Sequence, residues 1–184
     1  MTGKRFRRED WLEFGLQQLA SQGPEALKLA TLCEAAGKTI GSFYHHFSDQ
    51  SAFFEAMLAH WKKRNTLEII DRTDEIADPD ARARQLSAIV GAMDHQVEVG
   101  MRSFSHQNRL AAEVTAEVDR MRIGYLQAIC QEGLNLPEDE ARALAELEYA
   151  AFVGAQIIWP AGGSETRKKL SDLFEAMVSR YYGK

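Results

Sequence analysis

The stretch that most limits what this chain can fold into runs from Gly37 to Phe47, Gly-Lys-Thr-Ile-Gly-Ser-Phe-Tyr-His-His-Phe. Thr39 is a good helix N-cap, and only two turns follow before Ser48 and Asp49 offer a cap for another helix. A short helix between two breaks is therefore predicted. Within it Phe43 and Phe47 are spaced i, i+4 and share a buried stripe, which turns Gly41 and His45 outward, flanked by Ser42 and Tyr44. Upstream, Leu29, Leu32, Cys33 and Ala36 have helical apolar spacing, and Gly37 supplies a helix stop that turns one helix sharply into the next. Two short helices about a glycine have the pattern of a helix-turn-helix, a pattern that any helical hairpin of small residues also shows.

The residues in and around this stretch carry a family resemblance. Leu32-Cys33-Glu34-Ala35-Ala36-Gly37, Thr39, Gly41, Tyr44-His45-His46-Phe47 and Phe53 closely resemble the N-terminal DNA-binding domain of TetR-type transcriptional regulators. The fit extends upstream through Arg8, Trp11, Leu12, Leu16 and Leu19, which look like that family's first helix, so it covers residues 8 to 60 or so without an insertion. Three positions depart from the pattern. Lys38 stands where the family usually has an apolar residue, Ile40 where it often has a polar or basic one, and Gln50 where a phosphate-binding lysine is common. Lys28 stands near the start of helix 2, where the family often places a capping threonine; a lysine can meet a phosphate but cannot cap.

Net charge is −5, which taken alone argues against a nucleic-acid partner. Its distribution reverses that reading. Residues 1–50 carry six Lys/Arg and six Asp/Glu, so the whole excess of acid belongs to residues 51–184. Lys4, Arg5, Arg7 and Arg8 precede the first helix as a basic arm, suited to phosphate or minor-groove contact or else a solvated tail. The two cysteines, Cys33 and Cys130, fall on unrelated helices without metal-type spacing, which predicts buried reduced thiols in a cytoplasmic protein. The apolar runs are too short for a membrane span.

The rest of the chain is read as all-α, about nine helices in total. The expected organisation is an N-terminal three-helix helix-turn-helix domain at 1–50 and a helical bundle for ligand binding and dimerisation at 51–184. Helix 1 is predicted over 9–20 and stops at Gly23-Pro24; helix 2 covers 27–36; helix 4 opens at Ser48-Asp49 and carries Phe53, Met57, Leu58 and Trp61. By the family resemblance, helix 4 is the mechanical link between the two halves. Asp78-Pro79 caps a helix expected to reach Val97, with Gly91 and Gly100 as weaker places. An amphipathic helix through Leu110, Val118, Tyr125 and Ile129 ends at Gly133. Pro137 with Glu138, Asp139 and Glu140 opens a helix to Trp159-Pro160 through Leu144, Leu147, Phe152 and Ile157. After Ala161-Gly162-Gly163 a last helix carries Leu170, Leu173, Phe174, Met177 and Tyr181.

Three groups of candidate residues follow. For double-stranded DNA they are Lys28, Lys38, Thr39, Ile40, Gly41, Ser42, Tyr44, His45, His46 and Gln50: small residues allow close approach, Ile40 suits a thymine methyl, and the others suit phosphates and base edges. Tyr44 can instead be a core aromatic with its hydroxyl at the surface. For a small, mostly apolar effector they are Met93, His95, Phe104, His106, Met121, Tyr125, Gln156 and Trp159, where adaptable sulfur, flat rings and a few polar tips replace the usual aliphatic core; an ordinary aromatic core reads the same way. A homodimer is expected because one two-turn helix reads only a few base pairs. Its candidate interface is Ala151, Phe152, Gly154, Ala155, Phe174 and Met177, which could also pack within the subunit.

Catalytic and metal chemistry find no support. His45 and His46 are adjacent and diverge on a helix, while His60, His95 and His106 lack His-x-x-x-His or Glu-x-x-His spacing. No nucleophile elbow, phosphate-cradling glycine loop or paired cysteine motif is present. No cofactor, metal or enzymatic activity is expected. The reading is a ligand-responsive transcriptional regulator, a repressor that binds a pseudo-palindromic operator as a homodimer. The alternatives are a non-regulatory architectural DNA-binding protein, or a small-molecule binder with a vestigial DNA module.

Overall fold

A computed structural model describes residues 6–160 and 164–183. Lys4 and Arg5 of the basic arm and the Ala161-Gly162-Gly163 loop lie outside the described residues. The described elements are all helical: α1 Arg8–Gln22, a 3-10 turn Pro24–Leu27, α2 Leu29–Ala35, α3 Ile40–Tyr44, α4 Gln50–Lys62, a π turn Lys63–Leu67, α5 Glu68–Asp74, α6 Pro79–Gly91, α7 Gln96–Ser105, α8 Arg109–Leu134, α9 Glu138–Ile158 and α10 Ser164–Tyr182. The π turn joins α4 to α5 without a break in the helical backbone, so the described α-helices form nine separate helical stretches, as the sequence predicts.

The chain divides into two compact units. The first extends to Asn65 and takes back Val97–Ala116; the second comprises Thr66–Gln96 and the chain from Glu117 onward. The boundary expected at residue 50 thus falls inside the first unit, at the start of α4. Dense packing explains why α4 belongs there. The Cβ of any larger residue at Gly15 in α1 would meet the Phe53 ring at 2.7 Å and the Met57 sulfur at 3.0 Å, so only glycine lets α1 and α4 approach this closely. At Gly100 in α7 it would meet the Leu19 carbonyl oxygen at 2.9 Å, which ties α7 to the same unit. The buried Glu98 carboxylate accepts hydrogen bonds from Trp61 Nε1 at 2.9 Å and Asn65 Nδ2 at 3.3 Å, fixing α7 against the end of α4.

The second unit is less tightly sealed. Its polar contacts run between α5 and α8 (Thr73 Oγ1 to Tyr125 Oη, 2.8 Å), between α6 and α8 (Arg82 Nη1 to Glu132, 3.0 Å) and between α9 and α10 (Tyr182 Oη to Glu140, 2.9 Å). α6 contributes no buried residue, and its apolar Leu86, Ile89 and Val90 keep partial water access. On α8, Val118 and Ile129 are buried, yet none of the residues 121–128 between them is.

One helix expected from Asp78 to Val97 is two. α6 starts as predicted, with Asp78 accepting from the Ala81 backbone at 2.8 Å, but it ends at Gly91. α7 restarts at Gln96, whose backbone N–H donates to Asp94 Oδ1 at 3.0 Å. The local hydrogen bond of Asp94 ends one ladder and opens the next, a competition that apolar spacing does not register. Cys33 and Cys130 are free and buried, and no helix among the described residues is long and apolar enough to cross a membrane.

Candidate nucleic-acid interface

α2 and α3 meet through a turn whose every backbone group is accounted for. Gly37 takes φ +62°, its N–H donates to Glu34 O at 2.9 Å and the Lys38 N–H donates to Cys33 O at 2.9 Å. This is the Schellman arrangement, and the left-handed backbone at its centre selects glycine. Thr39 then caps α3, its hydroxyl accepting from the Ser42 N–H at 3.2 Å. Asp49 caps α4 through the Ala52 N–H at 2.8 Å, a bond that also holds its carboxyl below the usual carboxylate range.

α3 is only five residues long, too short to be stable alone, so aromatic packing must hold it. Phe43 is fully buried, with its ring centroid 5.5 Å from Trp11, 5.1 Å from Phe47 and 5.3 Å from Phe53. These near-perpendicular and tilted rings join α1, α3 and α4 in one core. With Phe43 and Phe47 anchored inward, the opposite face of α3 is presented to solvent.

The ten DNA candidates then separate into two sets. Thr39, Ile40, Gly41, Tyr44 and His45 are exposed at or beside α3, and Lys28 is exposed at the start of α2. Ile40 is 47% and Tyr44 49% exposed, and the Tyr44 ring touches the core only edge-on against Phe43. Tyr44 is therefore a surface aromatic. A Cβ at Gly41 would meet nothing closer than Thr39 Oγ1 at 3.8 Å, so the fold itself does not require glycine there. Lys38, Ser42, His46 and Gln50 are half-buried. His46 Nε2 contacts the Phe6 carbonyl at 3.0 Å, Lys38 Nζ sits 5.1 Å from the Phe6 ring centroid, and Gln50 Nε2 donates to Leu27 O at 2.8 Å. These three brace the surroundings of α3. Lys28 does not cap α2; it pairs with Glu25 on the rim of an open depression of about 480 Å³ between α1 and α2.

Phe6 was missed by the sequence reading. It packs edge-on against Trp11 and Phe14 at 5.2 and 5.9 Å and anchors the chain just before α1, beside the exposed Arg7 and Arg8. The available signal was an aromatic residue inside an otherwise basic arm. At the other end of α1, Glu13 joins His60 at 2.5 Å and also pairs with Arg64. Burial would raise the Glu13 pKa, but the hydrogen bonds and positive charge of those partners outweigh it and hold the carboxyl below its usual range.

The eight effector candidates do not form one constellation. Phe104 and His106 belong to the first unit, where Phe104 packs on Phe54 with centroids 5.1 Å apart and His106 is exposed. In the second unit, buried His95 and Gln156 meet at 2.9 Å, with the Phe152 ring 5.4 Å from the imidazole. Met93, Met121 and Tyr125 are half-buried, and Trp159 is exposed at the end of α9. The six interface candidates also divide. Phe152, packed on His95 and Tyr149, and buried Ala155 face the interior of their own unit. Ala151 and Met177 are exposed, Gly154 and Phe174 half-buried, and a Cβ at Gly154 would meet nothing within 4 Å. The sequence reading left out Ile158, which lies one turn beyond Gly154 on the same outer face and is 64% exposed.

No curated protein and no solved structure matches the chain. Residues 12–57 match the family model of the bacterial regulatory proteins of the tetR family. That segment spans nearly all of α1, the α2–α3 turn with both of its caps, and α4 as far as Met57, which is every element that positions the exposed face of α3. On this match the chain belongs to the TetR-type family of DNA-binding transcriptional regulators.

Proposed function

We propose that the protein is a homodimeric, effector-responsive repressor that reads a pseudo-palindromic operator with α3. The observation that carries this reading is the face of α3 itself: capped at its start, pinned from behind by Phe43 and Phe47, and open in front at Ile40, Gly41, Tyr44 and His45. Gly41 and Ser42 let the helix approach base edges, Ile40 meets a thymine methyl, and Tyr44 with His45 contacts phosphates or bases. Lys38, His46 and Gln50 act one step back, holding the helix at its angle to the duplex, and Lys28 supplies a further phosphate contact.

Dimerisation through α9 and α10 is supported by an apolar surface left uncovered in the subunit. On α9, Leu147 and Ile158 are 61% and 64% exposed and share a face with Ala151 and Gly154; on α10, Leu173, Met177 and Tyr181 are 55%, 61% and 79% exposed at near-helical spacing. Large apolar side chains aligned on two neighbouring helices suit a second copy of the same face. An effector site is supported by the incompletely sealed stripes of α6 and α8 in the second unit, beside His95, Gln156, Met121 and Tyr125. The effector changes DNA affinity only by preferring one spacing of the paired α3 helices. As a cytoplasmic repressor the protein would sit on its operator until that happens.

The test is selection of bound sequences from random duplex DNA, followed by mobility shifts at several salt concentrations. The expected result is an enriched inverted repeat, with half-sites about one turn of DNA apart or slightly more, bound with steep salt dependence. Failure to enrich any sequence, with weak and salt-insensitive binding, would overturn the reading.

A further inference from the structure

α9 presents Ala141, Ala145, Tyr149 and Ala155 to the interior of the second unit, all of them buried. At 3.6 residues per turn Glu148 lies in the middle of that inward stripe, three residues after Ala145 and four before Phe152. A carboxyl at a core position normally has an arginine, a lysine or several hydrogen-bond donors as partners, because burying it alone is costly. Glu148 makes no hydrogen bond and no ion pair with any described residue. The groups that its charge meets are the buried Cys130 thiol of α8 and the Glu175 carboxylate of α10, neither of them a cation. Glu175 is itself beside Ser87 of α6, at 3.4 Å. Burial first, and Glu175 second, push the Glu148 carboxyl up to about 7.

A second observation says what lies in front of it. The carboxyl is largely surrounded by protein, yet the residue keeps partial water access although it points inward. The same holds for Phe152 beside it on α9, for residues 121–128 of α8 except exposed Gly124, and for the apolar residues of α6. Partly accessible residues on inward-facing stripes of three helices describe an interior space that is not filled.

We propose that this space takes an effector whose apolar body bears one cationic group, with the Glu148 carboxylate as its counter-charge and Glu175 adding to the field. Phe152 and the half-buried α8 stripe hold the apolar body. This rests on the effector reading given above and narrows it to a chemical class: amines or quaternary ammonium compounds rather than fatty acids or neutral hydrocarbons.

Three probes sharing one body separate the possibilities: 4-phenylbutylammonium, 4-phenylbutanol and 4-phenylbutyrate, titrated calorimetrically into the full-length protein at pH 7.5. The ammonium should bind at least about tenfold more tightly than the alcohol, which corresponds to about 1.4 kcal/mol, and the carboxylate most weakly. Glu148→Gln should remove the ammonium's advantage and leave the alcohol unchanged. Equal binding of ammonium and alcohol overturns the proposal while the effector site stands. Preferential binding of the butyrate, or an ammonium affinity unchanged by Glu148→Gln, overturns it as well. Binding of none of the three overturns both the proposal and the effector site beneath it. The comparison of probes on the unmodified protein does not depend on how the variant folds.

Discussion

Replacing Glu148 by glutamine should stabilise the protein in a strongly pH-dependent way. The carboxyl's ordinary value is 4.5 and its folded value is about 7. The folded state therefore holds a proton that the unfolded chain gives up earlier, and stability falls as pH rises through that window. Below pH 4.5 both states are protonated and the residue imposes no penalty; above 7 both are ionised and the penalty is complete. At about 1.4 kcal/mol per pKa step the difference amounts to about 3 kcal/mol, which partial water access reduces to about 2 kcal/mol. Glutamine has the same shape and no charge, so its gain should be about 0.5 kcal/mol at pH 5 and about 2 kcal/mol at pH 8. In thermal unfolding at fixed protein concentration, the pH 8 gain is roughly 4–8 °C for a chain of this length. The other strongly shifted groups do not confuse the result, because Cys130 and Tyr149 are pushed up to about 12, outside the range. A gain that is the same at both pH values, or a loss at pH 8, would show that Glu148 is not an unpaired interior carboxyl.

Three further outcomes test the packing and the two interfaces. Gly100→Ala should destabilise by about 1–3 kcal/mol in urea unfolding, because its Cβ would lie 2.9 Å from the Leu19 carbonyl oxygen. Gly154→Leu should leave the subunit folded, since nothing lies within 4 Å of the new Cβ, yet give monomers by sedimentation and lower operator affinity by about 100-fold or more. A dimer of native affinity would remove α9 from the interface. Tyr44→Ala should weaken binding across DNA sequences, whereas Ile40→Lys should change which sequence is selected; a repeat of the random-duplex selection distinguishes the two.

Local chemistry made much of the first unit legible in the sequence. The Gly37 turn, the Thr39 and Asp49 caps and the Phe43/Phe47 stripe each follow from a few neighbouring residues, and each has the expected geometry. What depended on distant chain was not legible. Nothing local announces that His46 and Lys38 meet Phe6, or that Gln50 is engaged by the Leu27 carbonyl. The return of Val97–Ala116 to the first unit separates Phe104 and His106 from the other effector candidates, and periodicity carries no information about which unit a stripe joins. α9 gives the clearest lesson. Leu144, Leu147, Phe152 and Ile157 read as its apolar stripe, but Leu147 and Ile157 are 61% and 53% exposed, while small Ala141 and Ala145 face inward. A helix with two apolar faces has no single answer in its spacing. The inward Glu148 went unnoticed because a carboxylate between alanines looks like a surface residue.

The central claim is that the open face of α3 meets DNA, and Gly41 offers its most direct test. A side chain there has room in the free protein, with Thr39 Oγ1 at 3.8 Å its closest contact, and the helix gains from losing a glycine. The measurement is fluorescence-anisotropy titration of the selected duplex with the native protein and with Gly41→Leu, alongside their thermal midpoints. The account predicts a midpoint equal to or above the native one, together with operator affinity reduced by about 100-fold or more as the leucine holds α3 off the base edges. A folded Gly41→Leu protein that binds the operator with native affinity and native salt dependence would contradict it.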